Sequence, residues 1–169
     1  QTCALPILEI ATMIDPTWKP ETLAVQGGYR PKATEPRIVP IVQSTTFKYD
    51  SADHVARLFD LDCADHFYSR LSNPTTAAFE QKLAQLEGGV GALATSSGQA
   101  AISLAILNIC RAGQHLVAAS TLYGGTYSLF YTTLPKLGIS VSFVDPAASA
   151  EEIAAQFRPE TRLDRKSVV

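Results

Sequence analysis

From residue 73 onward, short apolar runs alternate with segments of helical period, and this alternation limits the fold more than any other feature of the chain. Strands separated by helices pair in parallel through right-handed crossovers, and such sheets bind ligands at the carboxyl ends of their strands. Asn73 is a good N-cap with Pro74 at the first helical position, Phe79, Leu83 and Leu86 recur at helical spacing, and Gly88-Gly89 supplies a stop. These signals predict a capped helix of about 14 residues. Next come a strand over 92–95, a helix over 100–112 ended by Gly113, a strand over 116–120, and a helix over about 126–137 ended by Gly138. An alternating strand over 139–144 and a helix over 150–157 complete the series. The run from Ala100 to Cys110 reads as a buried helix, because it is shorter than the ~20 residues that a bilayer span needs.

Residues 8–72 differ in character. Pro16, Pro20, Pro31, Pro36 and Pro40 interrupt them and little periodicity is visible, so they read as an extended arm with one short helix near 52–58. Such an arm buries little alone and is expected to pack on a partner subunit. At 169 residues and 46% hydrophobic, the chain is expected to form one cytoplasmic globular unit of ordinary domain size. A net charge of −2, with lysine and arginine scattered among acids, excludes the basic footprint of a nucleic-acid binder. No secretory or membrane-spanning segment is read. Three cysteines without paired spacing imply no disulfide framework, and Cys110 is assigned to packing. His54, His66 and His115 show no metal-ligand spacing and are read as surface or strand-edge residues; no metal is called for.

The candidate chemistry begins at Ala92-Leu93-Ala94-Thr95-Ser96-Ser97-Gly98-Gln99-Ala100, a strand, a turn and a helix start. Unpaired N–H groups and the positive end of the helix dipole favour an anion there, and Gly98 lets a ligand approach the backbone. Upstream, Tyr68-Ser69-Arg70 places a phenol and a guanidinium two residues apart, and the planar fork of arginine suits phosphate. Downstream, Tyr123 leaves the end of a strand on a Gly124-Gly125 turn, where an aromatic face can stack on a flat ring. Taken singly, each has a plainer reading: a serine-capped connection, a surface arginine, a core tyrosine. Gly89-x-Gly91-x-x-Ala94 matches a dinucleotide fingerprint on paper, but it follows a helix instead of opening one and is read as a helix stop. Asn73 is left structural.

In order and spacing these segments resemble the pyridoxal-phosphate enzymes of cysteine and methionine metabolism, the transsulfuration group, over about residues 21–163. The resemblance implies an α/β fold of fold-type I, a mostly parallel sheet with flanking helices, here truncated and preceded by an extended arm. Within the group, Glu21-Thr22-Leu23-Ala24-Val25-Gln26-Gly27-Gly28-Tyr29, Val39-Pro40-Ile41-Val42-Gln43-Ser44-Thr45-Thr46-Phe47 and Gly124-Gly125-Thr126-Tyr127-Ser128-Leu129-Phe130 are most similar to the O-acetylhomoserine sulfhydrylases. It implies that the backbone N–H groups of Gly98 and Gln99 hold the phosphate of pyridoxal 5'-phosphate. Tyr68 and Arg70 would reach the phosphate of a neighbouring subunit, within a homotetramer of active dimers. Tyr123 would stack on the pyridine ring and assist proton transfer. The implied reaction joins O-acetylhomoserine to sulfide or a thiol, giving homocysteine or methionine and acetate. Cystathionine γ-synthase, cystathionine lyase, methionine γ-lyase and a non-catalytic binding fragment are the alternatives.

The family holds its cofactor as a Schiff base on a lysine in a Ser-x-Thr-Lys context. None of Lys19, Lys32, Lys48, Lys82, Lys136 and Lys166 stands in that context. The chain is therefore expected to be the front portion of a longer enzyme, inactive alone, with residues 73–163 forming the start of the cofactor-binding domain. Residues 1–7 and 164–169 match nothing in the family and read as translated sequencing-adaptor DNA.

Overall fold

A computed structural model describes residues 17–60, 62 and 65–165; the expectations for residues 1–16 and 166–169 lie outside it. The single globular unit expected from length divides into two compact units, one ending at Ala94 and the other beginning at Thr95.

Among the described residues the first unit contains three helices: α1 (Pro20–Gln26), α2 (Ala52–Phe59) and α3 (Pro74–Glu87). The sequence reading missed α1, whose signals are Pro20 at its start and Glu21 in its first turn. Helix α2 starts where Ser51 accepts the His54 N–H. For α3 the expected signals act as read: the Asn73 side chain accepts the Thr75 N–H at 2.9 Å, and Gly88 closes the helix in the left-handed conformation.

The arm and α3 fold together within the first compact unit. Polar side chains at the start of α3 explain this. Asn73 donates from Nδ2 to the Val42 carbonyl at 3.0 Å, Thr75 Oγ1 donates to the Pro40 carbonyl at 2.7 Å, and it accepts from the Val42 N–H at 2.9 Å. Gly28 donates to Gln85 Oε1 at 3.0 Å and lies so close to α3 that an added Cβ would sit 2.2 Å from the Ala78 carbonyl oxygen. That approach requires small residues on the facing side of the helix. Ala78 and Ala84 are accordingly buried, whereas Phe79, Leu83 and Leu86, the expected apolar stripe, remain exposed.

The strand expected at 92–95 does not form. No strand among the described residues pairs with it, and the Ala94 N–H instead donates to Glu80 Oε1 at 2.7 Å.

The second unit is the expected βα alternation. Its elements are α4 (Gly98–Ile109), β1 (His115–Ala119), α5 (Gly124–Ser128), a π-helical turn over Leu129–Thr133, α6 (Leu134–Lys136), β2 (Ser140–Val144), α7 (Ala150–Ala154) and β3 (Thr161–Arg165). The three strands pair in parallel in the order β2-β1-β3, with His115 opposite Ser140 on one side and Thr161 on the other. The central strand is wholly buried, as a parallel strand flanked on both sides must be. Strand β3 was not read from sequence. Asp164 and Arg165, assigned there to an extraneous tail, continue it opposite Val117 and Ala118.

The core joins Ile106 of α4 and Cys110 just after it to Leu116, Ala118, Phe130, Leu134 and Ile139. Helix α4 is not buried as expected: Ile102, Ile106 and Cys110 form one inward stripe, while Leu104, Leu107 and Ile109 stay exposed. It also ends three residues early. Gln114 takes the Arg111 N–H on its side chain, and Gly113, with φ of +85°, serves a turn whose N–H bonds the Gly138 carbonyl. The π-helical turn ends two residues before Pro135, which has no N–H to give to the carbonyl four residues back.

Candidate functional site

Two groups of candidate residues are brought together, one in each unit. In the first unit the chain from Thr45 to Ser72 fixes Tyr68 and Arg70. Tyr68 forms an antiparallel bridge with Thr46, the Ser69 N–H donates to the Thr45 carbonyl at 2.9 Å, and the Ser69 hydroxyl donates to the Ser44 carbonyl. The N–H groups of Leu71 and Ser72 both return to the Tyr68 carbonyl, closing a tight turn. Asn73 Nδ2 donates to Ser69 Oγ at 2.9 Å, so the residue left structural is what ties this turn to α3.

The turn presents Arg70 outward, with its guanidinium carbon 5.0 Å from the centre of the half-buried Tyr68 ring. The cation is held against the aromatic face while its N–H fork stays in solvent, able to take an anion. The 460 Å³ cavity of this unit, lined by Trp18, Tyr29, Arg30, Arg37 and Lys82 among others, includes neither Tyr68 nor Arg70.

In the second unit the start of α4 is capped by Ser97, whose hydroxyl accepts the Ala100 N–H at 3.1 Å, and the Ser97 carbonyl accepts the Ala101 N–H. The preceding N–H groups, of Gly98 and Gln99, have no acceptor among the described residues. An added Cβ at Gly98 would meet nothing within 4 Å, so space for a ligand lies against the backbone. The helix is twelve residues long, enough for its aligned peptides to place partial positive charge at this end. A dianionic phosphate fits such a donor set.

Tyr123 follows the carboxyl end of β1 and is 80% exposed. Its loop and the α4 start are joined by one hydrogen bond, from Gln99 Nε2 to the Gly125 carbonyl at 2.8 Å. The stacking candidate and the phosphate candidate are therefore tied together beyond the carboxyl end of β1. Sequence reasoning gave Gln99 only its backbone N–H; the side-chain bond could not be read from a position in a row of residues.

The histidines do not behave alike. His115, expected at the surface or a strand edge, is 1% exposed at the start of the central strand, its Nδ1 2.8 Å from Thr161 Oγ1 and its Nε2 3.0 Å from Ser142 Oγ. Burial lowers its pKa below the ordinary value, Arg158 pushes the same way and Glu160 opposes. His66 is lowered by burial, partly offset by Asp65. Burial raises the Cys110 thiol, with Arg162 opposing, which suits a packing role and not a nucleophile.

The chain is similar to several proteins of known name. O-acetyl-L-homoserine sulfhydrylase of Leptospira meyeri is 55% identical over 129 residues, covering 76% of this chain and 29% of that protein. The enzyme of the same name from Corynebacterium glutamicum is 48% identical over 146 residues, covering 86% and 33%. The chain thus spans about a third of the length of these curated relatives. Among solved structures, an O-acetylhomoserine (thiol)-lyase of Campylobacter jejuni, carrying N'-pyridoxyl-lysine-5'-monophosphate, superposes with a TM-score of 0.82 at 32% identity, over 88% of this chain and 36% of that one. The pattern that describes the Cys/Met metabolism PLP-dependent enzymes matches residues 21–163, the span over which the sequence motifs run. With a free pair of amides at a capped helix start, an exposed tyrosine beside it and a match over most of its length, the chain belongs to the PLP-dependent enzymes of cysteine and methionine metabolism.

Proposed function

We propose that these residues are the front part of an enzyme that replaces the acetate of O-acetyl-L-homoserine by sulfide or a small thiol. The Cγ–O bond breaks and acetate leaves with its electron pair. A Cγ–S bond forms to the thiol sulfur, whose proton is released, and the product is homocysteine or methionine. The observation that carries this reading is the Gly98–Gln99 amide pair, tied to the Tyr123 loop in a chain 55% identical to a sulfhydrylase.

When bound, pyridoxal 5'-phosphate supplies an electron sink conjugated to the amino acid substrate. The protein's part is binding, orientation and proton handling. The Gly98 and Gln99 N–H groups donate to phosphate oxygens. Tyr123 offers its exposed ring to the flat heterocycle and its hydroxyl as a proton relay on the substrate side. Tyr68 donates its hydroxyl, and Arg70 its fork, to the phosphate bound by a neighbouring subunit, the arm being the element that crosses. This makes the working enzyme a homo-oligomer with shared sites, a tetramer of active dimers. The covalent link to the cofactor belongs to a lysine other than Lys19, Lys32, Lys48, Lys82, Lys136 and Lys166, none of which stands in a Ser-x-Thr-Lys context. Residues 73–163 then form the first part of the cofactor domain, and the reaction belongs to the cytoplasm.

The test is an assay of the full-length protein. It is expected to bind pyridoxal 5'-phosphate with a visible absorbance band and to form homocysteine from O-acetylhomoserine and sulfide. The 169-residue chain alone is expected to show no turnover. Failure of the full-length protein to bind the coenzyme, or activity only as a cystathionine lyase, overturns the proposal.

A further inference from the structure

The second glycine after Tyr123 has a requirement that backbone conformation does not explain. Gly125 is not among the residues with positive φ, so any side chain could adopt its backbone. Yet a Cβ built on it would lie 2.7 Å from Tyr123 Cε1, 3.3 Å from Cδ1 and 3.7 Å from Cζ. The first distance is one that real Cβ atoms do not show. The ring is therefore seated against the glycine, and it is otherwise 80% exposed, so little else restrains its pose. The carbonyl of the same glycine is fixed by the Gln99 side chain at 2.8 Å. Gly124 is the contrast: a Cβ there meets nothing within 4 Å.

We infer that Gly125 and the Gln99 side chain are positioning residues for Tyr123. Gly125 provides the seat on which the ring rests, and Gln99 holds that seat at a fixed distance from the phosphate amides. One residue thus serves two purposes, its backbone N–H facing the anion and its side chain setting where the aromatic ring stands. The inference rests on the proposed cofactor reading for its catalytic consequence, but the Tyr123–Gly125 contact exists without any ligand. Geometry of this kind matters because a displacement of about 1 Å in a positioning group can cost on the order of a hundredfold in rate.

The experiment is a mutant cycle in the full-length protein, comparing wild type, Gly125→Ala, Tyr123→Ala and the double variant, with Gly124→Ala and Gln99→Leu beside them. Three quantities are read: apoprotein melting temperature, visible circular dichroism of bound pyridoxal 5'-phosphate, and kcat/KM. In the wild-type background Gly125→Ala is expected to alter the visible dichroism and lower kcat/KM by about tenfold or more. In the Tyr123→Ala background the same change should alter neither. There it should leave the melting temperature unchanged or raised, because the ring is gone and alanine is the better helix former.

Gly124→Ala should leave the apoprotein melting temperature undiminished. Gln99→Leu should reproduce the dichroism change more weakly. The inference is overturned if Gly125→Ala costs as much without the Tyr123 ring as with it, or if the dichroism of the single variant matches wild type. Absence of cofactor binding by wild type would sink the proposed function instead, while the melting-temperature cycle would still report on the contact.

Discussion

The two units are held by different forces. The second has a central strand sealed on both sides and a core of seven buried residues contributed by a helix, a strand and the segment around the π-helical turn. Among the described residues the first has few buried large side chains, chiefly Leu58 and Phe67, and is organised by side chains that hydrogen-bond to distant backbone: Asn73 and Thr75 to residues 40–42, Gln85 to Gly28, Tyr49 to Phe67. Apolar burial scales with area and tolerates small shifts, whereas such hydrogen bonds require particular atoms at particular places. An arm fixed by polar tethers can therefore be ordered without a core of its own.

Substitutions that remove each kind of force should separate the units. The largest loss is expected for Phe130→Ala, which empties the centre of the second unit and should cost about 3–5 kcal/mol in denaturant unfolding. An equal loss from a first-unit apolar substitution such as Leu71→Ala, at a residue 63% exposed, would erase the contrast. Next is Asn73→Ala, which deletes the α3 cap and both Nδ2 bonds and should cost about 2–3 kcal/mol, read as faster hydrogen exchange at Val42 and Ser69. Asn73→Asp keeps the cap but not the donations, and should recover only part of that loss.

Ser97→Ala removes one cap bond and should cost about 1 kcal/mol in the second unit, without touching exchange in the arm. The smallest effect is expected from pH. The folded pKa of His115 lies below its ordinary value of 6.5, so the unfolded chain binds the extra proton more readily and stability rises with pH. The contribution is complete above about pH 6.5 and is lost as pH falls toward the folded pKa. His66 is shifted in the same direction. Melting curves from pH 7.5 to 5 should fall less steeply for His115→Gln than for wild type, and equal slopes would remove His115 from the account.

Legibility in the sequence followed the same division. In the second unit, apolar runs and glycine stops placed β1 and β2 within a residue and located the helices, because period and termination are local properties. The start of α3 was equally plain from Asn73 and Pro74. The stripe of Phe79, Leu83 and Leu86 misled, since the approach of Gly28 selects the alanine side of that helix. The run at 92–95 misled for a related reason: it has the composition of a strand, but a strand also needs a neighbour, and Glu80 holds its amide.

For the site, residue types and order pointed to Tyr68, Arg70, Gly98, Gln99 and Tyr123, and the family match covers the same span. Sequence alone determined the capped helix starts and the βα series, because each is set within a few residues. Only tertiary structure decided that His115 is buried between two hydroxyls and that Gln99 reaches Gly125. Those facts depend on distances between segments far apart in the chain, and such distances are fixed by packing, not by any local preference of the residues involved.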